Sequence, residues 1–148
     1  MRNFNNTDTY LIRAGDDMIK ATVTDSGEVA SNFIDDILHI NRLNLDNLIV
    51  GVDIEYCPNG LHGTYGLKVG VRVVNLPVLA ALKFGWPHMR QWGLERLLWE
   101  CTGIELQEKQ PCICLSDWSR LVLNLEQVEF AALDVIASSI VGRRLLRN

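Results

Sequence analysis

The stretch Leu48-Ile-Val-Gly-Val-Asp-Ile54 constrains the fold more than any other part of the chain. It is almost continuously apolar yet only as long as one strand, which is how a strand covered on both faces reads. Gly51 interrupts it with a residue that lacks a side chain, so another backbone can come close at that point. The run is therefore expected as a strand in the middle of a sheet. Gly70-Val-Arg-Val-Val74 reads as a second strand of the same kind.

The elements around these runs predict an α/β chain. Thr9-Tyr-Leu-Ile-Arg13 and Met18-Ile-Lys-Ala-Thr-Val-Thr24 are β-rich runs separated by Ala14-Gly15-Asp16-Asp17, so residues 1–25 are expected to hold an N-terminal β-hairpin. Ser26 is placed to cap a helix in which Val29, Phe33, Ile34, Ile37 and Leu38 recur at three- and four-residue steps. That helix is expected to pack its apolar face on a sheet. Further helices are expected from near Pro77, over residues 94–101, and from Asn124 to about Leu146. In the last of these, Asn124 at the N-cap and Gln127 three residues on form a capping-box pattern. The 148 residues amount to one domain, with no internal repeat and no low-complexity linker.

Composition bounds the partners. Hydrophobic residues make up 48% of the chain and charged ones 22%, enough apolar mass for a core. The net charge of −4 provides no overall field to attract a polyanion, so any nucleic-acid contact must come from a local patch. No apolar stretch approaches the ~20 residues that a membrane helix requires. The polar, Asn-rich start lacks the layout of a secretion or transit signal, and the expected compartment is the nucleus or the cytoplasm. There Cys57, Cys101, Cys112 and Cys114 read as buried thiols before disulfides, and their spacing does not make a zinc site. Trp86, Trp92, Trp99 and Trp118 lie in apolar periodic stretches and read as core or interface before base-stacking platforms. The cluster Arg143, Arg144 and Arg147 complements the dipole at the end of the last helix, and a phosphate-binding role is the second reading.

The chemistry centres on Asp53-Ile54-Glu55. Along a strand, residues i and i+2 share a side, so both carboxylates would face one site. Hard divalent cations take carboxylate oxygens, and a two-metal centre needs several of them around ions roughly 3.5–4 Å apart. Solvated acids at a strand end are the plain alternative. On the last helix, Phe130 and Asp134 stand at i and i+4, on one face.

Taken together, Val50-Gly-Val-Asp-Ile-Glu55, Leu125-Glu-Gln-Val-Glu-Phe-Ala-Ala-Leu-Asp134 and Ile140-Val-Gly-Arg-Arg-Leu145 resemble the DEDD 3′–5′ exonucleases, most closely the plant Werner-syndrome-like exonuclease domain. Weaker echoes lie in Tyr65-Gly-Leu-Lys-Val69, Val74-Asn-Leu76, Gly93-Leu94-Glu-Arg-Leu97 and Leu115-Ser-Asp-Trp118. The resemblance implies a ribonuclease-H-like fold, here a truncated mixed sheet flanked by helices. It also implies Mg²⁺ or Mn²⁺ held at the positions of Asp53, Glu55 and Asp134, and a nucleic-acid single strand or 3′ end as partner. In that family a Tyr stands at the position of Phe130, its hydroxyl orienting the attacking water. The family also carries a middle motif with a further Asp ligand. Here only nine residues separate Glu55 from Tyr65, and none of them is acidic. The metal cage is thus one ligand short and the water loses its orienting group, so hydrolysis is expected to be impaired or lost. The alternative is a non-catalytic remnant that self-associates or binds nucleic acid weakly, and the 48–54 edge is expected to be covered by the N-terminal hairpin or by a second copy of the chain.

Overall fold

The computed structural model describes residues 7–53, 74–106, 111–120 and 122–147. It divides into two compact units, residues 1–48 and 49–148. Both α and β structure are present, as an antiparallel hairpin and a set of helices.

In the first unit, β1 (Thr7–Ala14) pairs with β2 (Asp17–Thr24) in a register that sets Ile12 opposite Ile19 and Tyr10 opposite Ala21. Gly15 turns the chain between them with φ +64°, the positive value that a two-residue hairpin loop takes at its first position. Period-two alternation runs through the middle of both strands: Ile12 is buried and Tyr10, Ile19, Ala21 and Val23 half-buried, whereas Leu11, Arg13, Met18 and Lys20 are exposed. The hairpin is therefore the one expected, with β1 two residues longer at its start. Helix α1 (Gly27–Ile40) begins where Ser26 predicts, the Val29 amide donating to the Ser26 hydroxyl at 3.3 Å. It contacts β2, yet none of its residues is fully buried.

The second unit is helical among its described residues. Helix α2 (Leu76–Phe84) is capped by Asn75, whose side-chain oxygen accepts from the Val78 amide at 3.1 Å. A 3₁₀ turn (Pro87–Gln91) leads to α3 (Leu94–Thr102), then come the short α4 (Pro111–Cys114) and the long α5 (Leu125–Leu146). Ala137, Val141 and Leu145 repeat every four residues and form the stripe of α5 that enters the core. Ala80 and Ala81 of α2, Met89 of the turn, Trp92 after it, and Leu97, Leu98 and Cys101 of α3 complete that core. The small side chains of Ala80, Ala81 and Ala137 let the helices approach. Cations from neighbouring helices satisfy the exposed carbonyls at helix ends. Lys83 donates to Leu145 O and Arg147 O, both at 2.9 Å, and Arg144 donates to Cys101 O at 3.2 Å.

One expectation requires correction. Residues 48–53 form no strand, and the hairpin is the only sheet among the described residues. The physical reason lies in what covers them. A strand needs a lateral partner for its amides and carbonyls, whereas here residues 49–51 lie against α5. A Cβ on Gly51 would run into the carbonyl oxygen of Val135 and come within 2.9 Å of the Ser139 amide nitrogen. Gly142 likewise gives room to Ile49, whose Cγ2 would stand 3.3 Å from a Cβ there. The close backbone approach read from Gly51 is thus present, but the neighbouring backbone belongs to a helix. Ile54, Glu55, Cys57 and the second expected strand up to residue 73 lie outside the described residues.

Candidate functional site

Helix α5 positions the C-terminal motif, and its start is built as the sequence predicts. The Asn124 amide donates to Gln127 Oε1 at 3.0 Å, and the Gln127 amide donates back to Asn124 Oδ1 at 2.8 Å. Gln127 does more than cap. It is buried, and its Nε2 donates to Ser116 Oγ at 2.9 Å and to the Asp117 carbonyl at 3.2 Å. A buried amide of this kind is stable only with its hydrogen bonds made, so the segment after α4 is pinned to the first turn of α5. The sequence offers no signal for this second role beyond the capping pattern.

Phe130 sits one turn further on. It is half-buried, with its ring 6.0 Å from that of Trp118 and tilted by 52°. At the Tyr position of the resembled motif, the ring thus has a packing role without a hydroxyl. Asp134, at i+4, is buried. Residues 49–51 cross α5 at the turn that follows, Gly51 resting on Val135 and Ser139. The stretch leading into the first acidic motif is therefore seated on the helix carrying the last one, beginning at the residue after Asp134. Asp53, two residues beyond Gly51, is exposed, and Glu55 lies outside the described residues.

No group of three or more His, Cys, Asp or Glu side chains suited to a metal ion occurs among the described residues. Asp117, close in sequence to the pinned segment, is engaged locally. Its carboxylate accepts from the Ser119 amide at 3.0 Å and from the Ser119 hydroxyl. These bonds hold its titration below the ordinary carboxylate range. It serves a turn and is exposed.

The cysteines divide. Cys101 is buried, which pushes its thiol upward in pKa and leaves it a core residue. Cys112 and Cys114 are exposed, against the expectation of burial, because α4 is a single turn lying against α5 and leaves its other side in solvent. The tryptophans divide too. Trp92 is buried and Trp118 packs on Phe130, while Trp86 and Trp99 are about half exposed. Among the described residues no helix is long and apolar enough to cross a membrane. Comparisons of the chain with protein-family models, with curated proteins and with solved structures give no match.

Proposed function

We propose that this chain is a degenerate member of the DEDD 3′–5′ exonucleases, of ribonuclease-H-like descent, that binds nucleic acid and has lost most or all of its metal-dependent phosphodiester hydrolysis. The observation that carries the reading is the seating of Gly51 on Val135 and Ser139. It brings the chain leading to Asp53 onto the helix that bears Asp134, as a site shared by the two motifs requires.

Mg²⁺ or Mn²⁺ in such a site would polarise the phosphate and supply a bound hydroxide. The donors present do not fit that task. Asp53 is exposed and Asp134 buried, the only further acid at a ligand position of the resembled motifs is Glu55, and Phe130 brings no hydroxyl. A binuclear cage needs more carboxylates than this, so no hydrolytic step is assigned.

A labelled single strand and a recessed duplex, incubated with Mn²⁺ or Mg²⁺, test the reading when the chain is compared with Asp53→Ala. The expected result is binding of the oligonucleotide without shortening by either protein. Metal-dependent shortening that vanishes in Asp53→Ala would overturn the loss of activity. Failure of the unmutated chain to bind either oligonucleotide would overturn the nucleic-acid reading itself.

A further inference from the structure

Residues 83–96 carry an unusual density of rings and cations: Phe84, Trp86, His88 and Trp92 with Lys83, Arg90 and Arg96. The structure arranges the rings as a ladder. Phe84 and Trp86 have centroids 6.3 Å apart, and Trp86 and His88 stack at 5.9 Å with 16° between their planes. His88 and Trp92 follow at 5.3 Å, and the Arg96 guanidinium lies 4.1 Å over the Trp92 ring. These separations are those of favourable aromatic and cation–π contacts.

The ladder is anchored at one end and open at the other. Met89 and Trp92 are buried in the core of the second unit, whereas Phe84 and Trp86 are 43% and 50% exposed and His88 is exposed. Gly85, at φ +71°, ends α2 and turns the chain outward, and the Trp86 amide returns to Ala81 O at 3.1 Å. Pro87 and the 3₁₀ bonds from Met89 to Trp86 O and from Trp92 to Met89 O then hold the turn. The rings are displayed on a braced turn of the kind that loses little entropy on binding.

Charge favours an anionic ligand at this spot. The whole of the chain's net charge of −4 falls in residues 1–48. Within residues 83–96 the cations Lys83, Arg90 and Arg96 face a single acid, Glu95. At the end of α2, Lys83 donates to the Arg147 carbonyl, so the backbone of a further basic residue lies close by. Flat rings beside cations match a ligand that repeats flat rings and anions. Bases in a duplex are already stacked on one another, so the matching form is a single strand.

We infer that the Phe84–Trp86–His88 ladder, flanked by Arg90, is a stacking platform for single-stranded nucleic acid. The inference deepens the proposed nucleic-acid reading by naming a surface, and it does not depend on hydrolysis. The test is fluorescence anisotropy of a labelled oligothymidylate with the full chain, alongside quenching of tryptophan emission. Trp86→Ala is expected to weaken binding about tenfold, the loss of one base stack, and to remove part of the quenching. Trp99→Phe, half-exposed outside the ladder, is expected to bind as the unmutated chain does. Arg90→Ala is expected to weaken binding to all sequences and lower the salt dependence by about one counterion. Circular dichroism checks folding, and the exposed His88→Ala serves as a second ladder variant should Trp86→Ala unfold. Binding unchanged in Trp86→Ala and His88→Ala would overturn the platform while leaving the nucleic-acid reading standing. Binding of heparin as tight as that of the oligonucleotide, without quenching, would reduce the patch to a general polyanion surface and overturn it as well. No binding by the unmutated chain would overturn both.

Discussion

Gly51 shows how one missing side chain sets the course of a segment. The Cα hydrogen that a Cβ would replace faces the Val135 carbonyl and the Ser139 amide, which are helix backbone and cannot swing aside. Gly51→Ala is therefore expected to destabilise the second unit by about 1–3 kcal/mol, the usual cost of overpacking, measurable by urea unfolding. Gly142→Ala is the informative contrast. There a Cβ meets only the Ile49 Cγ2 at 3.3 Å and the Leu76 Cδ2 at 3.8 Å. The helix propensity gained, about 1 kcal/mol, offsets the small repacking, so this change is expected to be near neutral. The role of Gly51 was legible in the sequence because a glycine inside an apolar run gives up side-chain burial and gains room for a close neighbour in return. The identity of that neighbour was not legible, since nothing local distinguishes a strand backbone from a helix backbone arriving from residues 135–139.

Among the elements, α5 owes most to its first turn. Its capping box closes two backbone donors within four residues, a purely local arrangement, and this is why the start of the helix could be read from Asn124 and Gln127. Asn124→Ala is expected to cost about 1 kcal/mol. Gln127→Ala should cost more, about 2–3 kcal/mol. It removes the Gln127 half of the capping box, the acceptor for the Asn124 amide, and also deprives Ser116 Oγ and the Asp117 carbonyl of a buried donor. Thermal unfolding gives both values, and equal losses in the two variants would show that the tie to residues 116–117 is inert. The site is legible to the same degree as the helix. Phe130 and Asp134 share a face because helical spacing demands it, while the burial of Asp134 and the packing of Phe130 on Trp118 depend on chain segments beyond the helix itself.

Across the molecule, burial is uneven. Ile12 is the single fully buried residue among those described in the first unit, while the second holds the cluster around Leu97, Leu98 and Val141. Local opening is easiest where few apolar contacts must be given up. Hydrogen exchange is therefore expected to be faster in the amides of α1 than in those of α3 and of the 137–145 stripe of α5. Equal protection in α1 and α3 would refute this. The difference follows from α1's apolar face, of which Phe33 remains 59% exposed, although its periodicity is as regular as that of any buried helix. Local chemistry was enough to locate the hairpin turn at Gly15 and the helix starts at Ser26 and Asn124, because each is closed by hydrogen bonds or dihedral preferences within a few residues. Packing alone settled that residues 49–51 lie on a helix and that Trp92 turns inward while Trp86 stays in the open. An apolar pattern records that a residue favours burial, but the partner that buries it comes from elsewhere in the chain.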